Sequence, residues 1–193
     1  MKKTFALLMA GLLLLTVTAG AEETVQAPTF ETLSDLEWLF TSGAGAWYTV
    51  MQIGPDGTFT GDFHDSEMGD AGEDYPYGTV YGCLFHGEMT LGGQTGEYAW
   101  EMHVDALELD EGQVPETIED GIRYVTAEPY GISAGADMTL YLPGTPVSAL
   151  PEGFLYWTQL FDGGAEELPF YGLYDGQADA GFIGEPIGDA SEQ

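Results

Sequence analysis

Two alternating runs of apolar and polar residues around a four-residue turn constrain this chain more than any other feature. Trp47, Thr49, Met51 and Ile53 alternate with Tyr48, Val50 and Gln52. Gly54-Pro55-Asp56-Gly57 follows, and then Phe59, Gly61 and Phe63 alternate with Thr58, Thr60, Asp62 and His64. A period of two puts successive side chains on opposite faces of a strand. Pro55 presets φ for the turn, and Asp-Gly tolerates the positive φ of a tight hairpin. The segment predicts a β-hairpin with one buried face.

The pattern continues downstream. Residues 78–87 carry Thr79, Tyr81, Cys83 and Phe85 on one face. Residues 98–109 carry Tyr98, Trp100, Met102 and Val104 on one face and Glu101, His103 and Asp105 on the other. Leu107 and Leu109 fall on the opposite parity, which predicts a bulge near Ala106. Shorter strands are expected at 122–126, 138–142, 154–157, 169–174 and 180–183. Leu33, Leu36, Leu39 and Phe40 recur at helical spacing, so a short helix is expected over 32–40. Alternating strands argue against a parallel α/β sheet, whose strands are apolar throughout. The expected fold is all-β: an antiparallel barrel or sandwich of eight to nine strands with a short N-terminal helix.

The N-terminus reads as an export signal. Lys2-Lys3 precede an apolar run over 6–17, and Thr18-Ala19-Gly20-Ala21 ends in a small-x-small pattern, so cleavage is expected near Ala21. The run is shorter than the ~20 residues of a membrane span. The expected organisation is a signal peptide over 1–21 and a single acidic domain over 22–193, secreted or held in the cell-wall space. No membrane span is expected in the mature chain.

Charge narrows the partners. The chain has 3 Lys+Arg against 33 Asp+Glu, a net charge of -30. Cleavage removes Lys2 and Lys3 and no acid, which moves the net charge to -32 and leaves Arg123 as the one basic side chain. Nucleic-acid binding and polybasic membrane attachment both need several cations and are excluded. A single Cys cannot close an intrachain disulfide. With 44% hydrophobic and 13% aromatic residues, the composition is that of a folded chain.

Asp62, Asp65, Glu67, Asp70 and Asp74 form an acidic stretch that could offer oxygen ligands to calcium, although the D-x-[DN]-x-[DN]-G pattern is absent. His64, His86, His103 and Cys83 lack short metal-ligand spacing, and Cys83 and His86 belong to opposite strand faces. Cys83 reads as a small core residue. His64-Asp65-Ser66 has triad residue types, but adjacent residues cannot align as nucleophile, base and orienter. Paired carboxylates could hydrolyse a glycosidic bond if a cleft held two of them close together. Arg123, in so negative a field, is expected in a structural ion pair with Glu128 or an acid within 105–120. Phe154-Leu155-Tyr156-Trp157 is apolar on both parities, so one side needs cover from a loop or a ligand.

Gly45-Ala46-Trp47-Tyr48 matches the G-x-W-[YF] motif and resembles the opening of lipocalin-like (calycin) barrels. That resemblance implies a short helix upstream, a Trp47 that opens the first strand and plugs one end of the barrel, and a late-strand Arg packed on it. Residues 38–47, Asp56-Gly57-Thr58-Phe59, residues 63–69, Arg123-Tyr124, Glu128-Pro129-Tyr130-Gly131 and residues 150–154 are similar to uncharacterised exported domains of clostridia-type bacteria. That likeness implies localisation and fold but no chemistry.

The functional expectation is an exported, non-enzymatic, monomeric binding protein without a cofactor. Its partner would be a small apolar molecule, a glycan or a surface partner, with Trp47 and Arg123 in structural roles. The alternatives are a secreted carboxylate-dependent hydrolase and an acidic, calcium-binding, wall-associated protein.

Overall fold

A computed structural model describes residues 25–162 and 164–188. The expected signal peptide over 1–21 lies outside the described residues.

The hairpin that dominates the sequence forms as β2 (Trp47–Ile53) and β3 (Thr58–Glu67), with Ile53 opposite Phe59 and Trp47 opposite Asp65. Its turn works as its residues require. Asp56 Oδ1 accepts from the Thr58 amide (3.1 Å), the Gly57 amide donates to Gly54 O (3.0 Å), and Gly57 takes φ +87°. A Cβ at Gly57 would also lie 2.7 Å from Met89 O.

Around this hairpin the chain builds β1 (Leu36–Thr41), β4 (Thr79–Gly96), β5 (Ala99–Leu109), β6 (Glu116–Glu119), β7 (Ile122–Thr126), β8 (Asp137–Tyr141), β9 (Tyr171–Asp175) and β10 (Ala180–Pro186). The sheet runs β3-β2-β1-β10-β9-β8-β5-β4-β7-β6, and an additional β3–β4 pairing closes it on itself. Eight strands, β1–β5 and β8–β10, thus make an antiparallel barrel in which sequence neighbours are spatial neighbours. β6 and β7 are an insertion. β7 pairs in parallel with the start of β4, setting Thr79 beside Arg123, and β6 is its hairpin partner across an Asp120-Gly121 turn with both φ values positive. The bulge expected near Ala106 is present: Glu88 faces Ala106 but Met89 faces Val104.

Two local expectations are corrected. Residues 32–40 are not one helix. A single-turn helix, α1 (Phe30–Leu33), is capped by Thr29, and β1 follows at once. Leu36, Trp38 and Phe40 are buried while Glu37 and Leu39 are exposed, so the strand period wins over the helical spacing of the leucines. Trp47 therefore opens the second strand, not the first. Conversely, residues 154–157 are not a strand but lie in α2 (Glu152–Trp157), which begins at Pro151 with an acid in its first turn. Two tight glycines on the wall and one in the helix explain its seat: Gly172 and Gly181 leave room for Phe154, and Gly153 of α2 lies against Tyr174. Phe154, Leu150 and Leu168 make a small second core outside the barrel, against Tyr141 and Tyr174.

The lumen is a packed core. Trp38, Phe40, Met51, Ile53, Phe59 and Phe85 are among its fully buried side chains. Three of the large rings face glycines on the neighbouring strand: Phe85 opposite Gly61, Phe59 opposite Gly87 and Trp38 opposite Gly184. A Cβ at any of these glycines would collide with the ring across from it. Small-against-large pairing fills an eight-stranded barrel with side chains.

Candidate functional site

The end of the barrel where β1 finishes and β2 starts gathers aromatic side chains. Trp47 is half-buried there and faces inward over Phe40, with ring centroids 4.8 Å apart and an edge-to-face angle of 63°. Residues 127–136 fold over this end. The Thr49 hydroxyl, fully buried, donates to Tyr130 O (2.7 Å), and Ile132 is buried beneath. Gly131, at φ +86°, lies against the Phe40 ring, where a side chain would not fit.

From this seat a row of rings runs out to solvent. Trp47 meets Tyr130 at 5.0 Å and Trp157 at 5.8 Å. Trp157 meets Tyr156 at 5.3 Å, and Tyr156 lies 6.2 Å from Phe161 at an interplanar angle of 25°. Tyr156 is 63% exposed and Phe161 58%. Large aromatic groups left in water are costly unless something covers them, and contiguous ones mark interaction surfaces. The indole N–H of Trp157, inside this row, is buried without a hydrogen-bond partner. The expectation that the 154–157 segment needs cover on one side is met in half: Phe154 is sealed by the wall, and Tyr156 is not.

Arg123 occupies the same end, on β7, with β3 and β4 between it and β2. Its partner is Asp70, not Glu128 or an acid of 105–120. The reason is the parallel β4–β7 pairing, which sets Arg123 beside Thr79 while the 68–78 loop doubles back over both. Arg123 Nη2 donates to Asp70 Oδ2 (2.5 Å), and Nε donates to Thr79 Oγ1 (3.1 Å). The guanidinium lies 4.5 Å over the Tyr75 ring, so it stacks on that ring rather than on Trp47. Tyr81 Oη donates to the same Asp70 oxygen (2.5 Å), and Thr79 Oγ1 donates to Asp70 O (2.7 Å). The Tyr81 hydrogen bond, with help from Thr79 and Arg123, holds the Asp70 carboxyl below the usual carboxylate range, and Asp70 in turn pushes the Tyr81 phenol up. Arg123, Asp70, Thr79 and Tyr81 each bond another member of the node, so it is a latch for the loop.

The remaining candidates are dispersed. Asp62 projects outward from β3, Glu67 Oε1 accepts from the Gly69 amide (2.9 Å), and Asp70 belongs to the latch. Among the described residues no three His, Cys, Asp or Glu side chains are grouped to hold a metal ion, so the structure does not gather Asp62, Asp65, Glu67, Asp70 and Asp74 around one point. His86 pairs with Asp110 and His103 with Asp137, each at 2.7 Å, while His64 stacks on Tyr48. Cys83 is buried in the core, and burial pushes its thiol up to about 12. Asp175 is the one buried acid among the described residues, and its Oδ1 is spent on the amides of Gln177 (2.8 Å) and Ala178 (3.0 Å) in a turn. Depressions of about 260 to 390 Å³ on the molecule are open to solvent.

Comparison with known families, curated proteins and solved structures finds no match for this chain.

Proposed function

We propose that this is an exported, lipocalin-like binding module that engages its partner on the outside, at the aromatic end of the barrel, rather than in the lumen. The observation that carries this reading is the contrast between a lumen filled by rings and a row of rings, Trp47–Trp157–Tyr156–Phe161, that reaches solvent. The N-terminal signal pattern supports export to the medium or cell-wall space. The eight-stranded meander and the Trp47 plug support the lipocalin-like relation, and the filled lumen marks the departure from a cup that holds small apolar molecules.

The partner chemistry that fits is a neutral glycan. Exposed tyrosine and phenylalanine faces stack on the C–H faces of sugars and keep little conformational freedom to lose. A net charge of -30 on the whole chain repels anionic wall polymers and leaves neutral ones. Calorimetric titration with neutral β-linked glucan and N-acetylglucosamine oligosaccharides tests the reading. Binding that is lost in the Tyr156→Ala/Phe161→Ala double variant is expected. Absence of binding to every neutral oligosaccharide, or binding that survives the double substitution, overturns it.

A further inference from the structure

A second surface lies on the inserted hairpin, away from the aromatic row. The barrel closes on itself and so hides its strand edges, but β6 stands at the end of the sheet order with one edge unpaired. Hydrogen bonds tell which groups are free. Thr126 N–H donates to Pro115 O (3.0 Å) on the β6 side, and Arg123 N–H donates to Gly78 O (3.1 Å) on the β4 side. Backbone groups alternate in direction along a strand, so Tyr124 and Ile122 address β6. Their register partners Thr117 and Glu119 use their own backbone groups on β7, and Glu116 and Ile118 direct N–H and C=O outward.

Apolar surface flanks this edge. Ile118 is exposed on one face; on the other, the exposed Val114 and Tyr124 line a groove of about 280 Å³ that crosses from Val80 on β4 to Thr117 on β6. Glu116, Glu119 and Asp120 are all exposed on the strand and its turn. A second copy of the chain is a poor occupant, because pairing edge to edge sets glutamates against glutamates on two strongly negative molecules. We propose that the β6 edge takes an extended, cationic segment of another protein by strand addition. Backbone hydrogen bonds to Glu116 and Ile118 supply the register, apolar side chains seat on the groove face beside Thr117, and Lys or Arg on the other face meet Glu116. Four outward groups make a short ladder, which suits a reversible contact.

The probe is a labelled peptide of alternating Lys and Val, titrated into the full exported chain by fluorescence anisotropy at low and moderate NaCl. The control is the same peptide N-methylated at alternate residues, which keeps the charge but cannot pair as a strand. At least tenfold tighter binding of the unmethylated peptide is expected. Ile118→Pro removes one outward N–H that β7 does not use, a place where an edge strand accepts proline. It should weaken the peptide at least tenfold with an unchanged melting curve. Should that variant unfold, Glu116→Lys/Glu119→Lys keeps the edge amides and should transfer preference to the alternating Glu-Val peptide. Equal binding of methylated and unmethylated peptides overturns the proposal, since the chain would then be adsorbing cations over its whole surface. Peptide affinity unmoved by a folded edge variant overturns it too.

Discussion

Inside the barrel and at its aromatic end, the same residue types reach opposite outcomes. In the lumen three large rings face glycines across the strand pair: Phe85 with Gly61, Phe59 with Gly87, Trp38 with Gly184. At the end, Trp47, Trp157, Tyr156 and Phe161 meet one another in a row, and the outermost two, Tyr156 and Phe161, meet water. Complementary volumes close a core; like volumes stacked in a row leave faces over. In the proposed function the lumen serves stability and the aromatic row serves contact with a partner. The Arg123 latch is the polar counterpart of the lumen, aromatic and charged yet with each group already partnered.

The comparison breaks most visibly at the glycines. Gly87→Ala drives a methyl into Ala106 O and the Phe59 ring. It should cost ~3 kcal/mol or more, as overpacking of a closed core does, read from the midpoint of denaturant unfolding. A variant as stable as the parent would mean that the lumen has slack and could admit a ligand after all.

Next comes the latch. Arg123→Ala should lower Tm by several degrees and release the 68–78 loop, and Arg123→Lys should recover part of the loss, because an ammonium keeps the charge but not the fork or the flat stack on Tyr75. Thermal melts at moderate salt decide this, and an unchanged Tm in the Ala variant would remove the latch from the account of stability. Its pH dependence follows from Asp70. Its folded-state pKa lies below that of a free aspartate, so its contribution is present above the ordinary carboxylate range and is lost as pH falls through the folded value. At the alkaline end Tyr174 behaves oppositely. Burial and its hydrogen bond to Asp179 raise it from 10.0 to about 12, so its contribution holds below pH 10 and is lost between 10 and about 12. Equilibrium unfolding across both windows should slope down at each edge.

A smaller, global effect is electrostatic. A net charge of -30 repels itself, and salt screens that repulsion, so Tm should rise from low to moderate NaCl. A Tm that falls over this range would contradict the account. Smallest of all for stability is Tyr156→Ala/Phe161→Ala, expected within ~0.5 kcal/mol of the parent because the rings are exposed. A large destabilisation there would turn the aromatic row into a second core and erase the contrast with the lumen.

Much of the wall was legible from the residues. Period-two alternation named the inward faces of β2, β3, β4 and β5, the Asp56-Gly57 turn and the Ala106 bulge. These are local consequences of pleat and turn chemistry, and burial on one face enforces them. β6 had a signal of its own in Asp120-Gly121, a two-residue hairpin turn, but the strand before it is short and polar. β1 was misread because Leu33, Leu36, Leu39 and Phe40 satisfy a helical spacing, whereas the buried set is Leu36, Trp38 and Phe40. The helix at 152–157 was misread because four consecutive apolar residues fit a buried strand as well as a helix.

What alternation and turn residues decided was that the chain pleats, which faces turn inward, and where it reverses. Closure of β3 on β4, the parallel seat of β7, the choice of Asp70 for Arg123 and the filling of the lumen were decided only in three dimensions. Each depends on which distant strands meet. A period along one chain carries the direction of a side chain but not the identity of its neighbour.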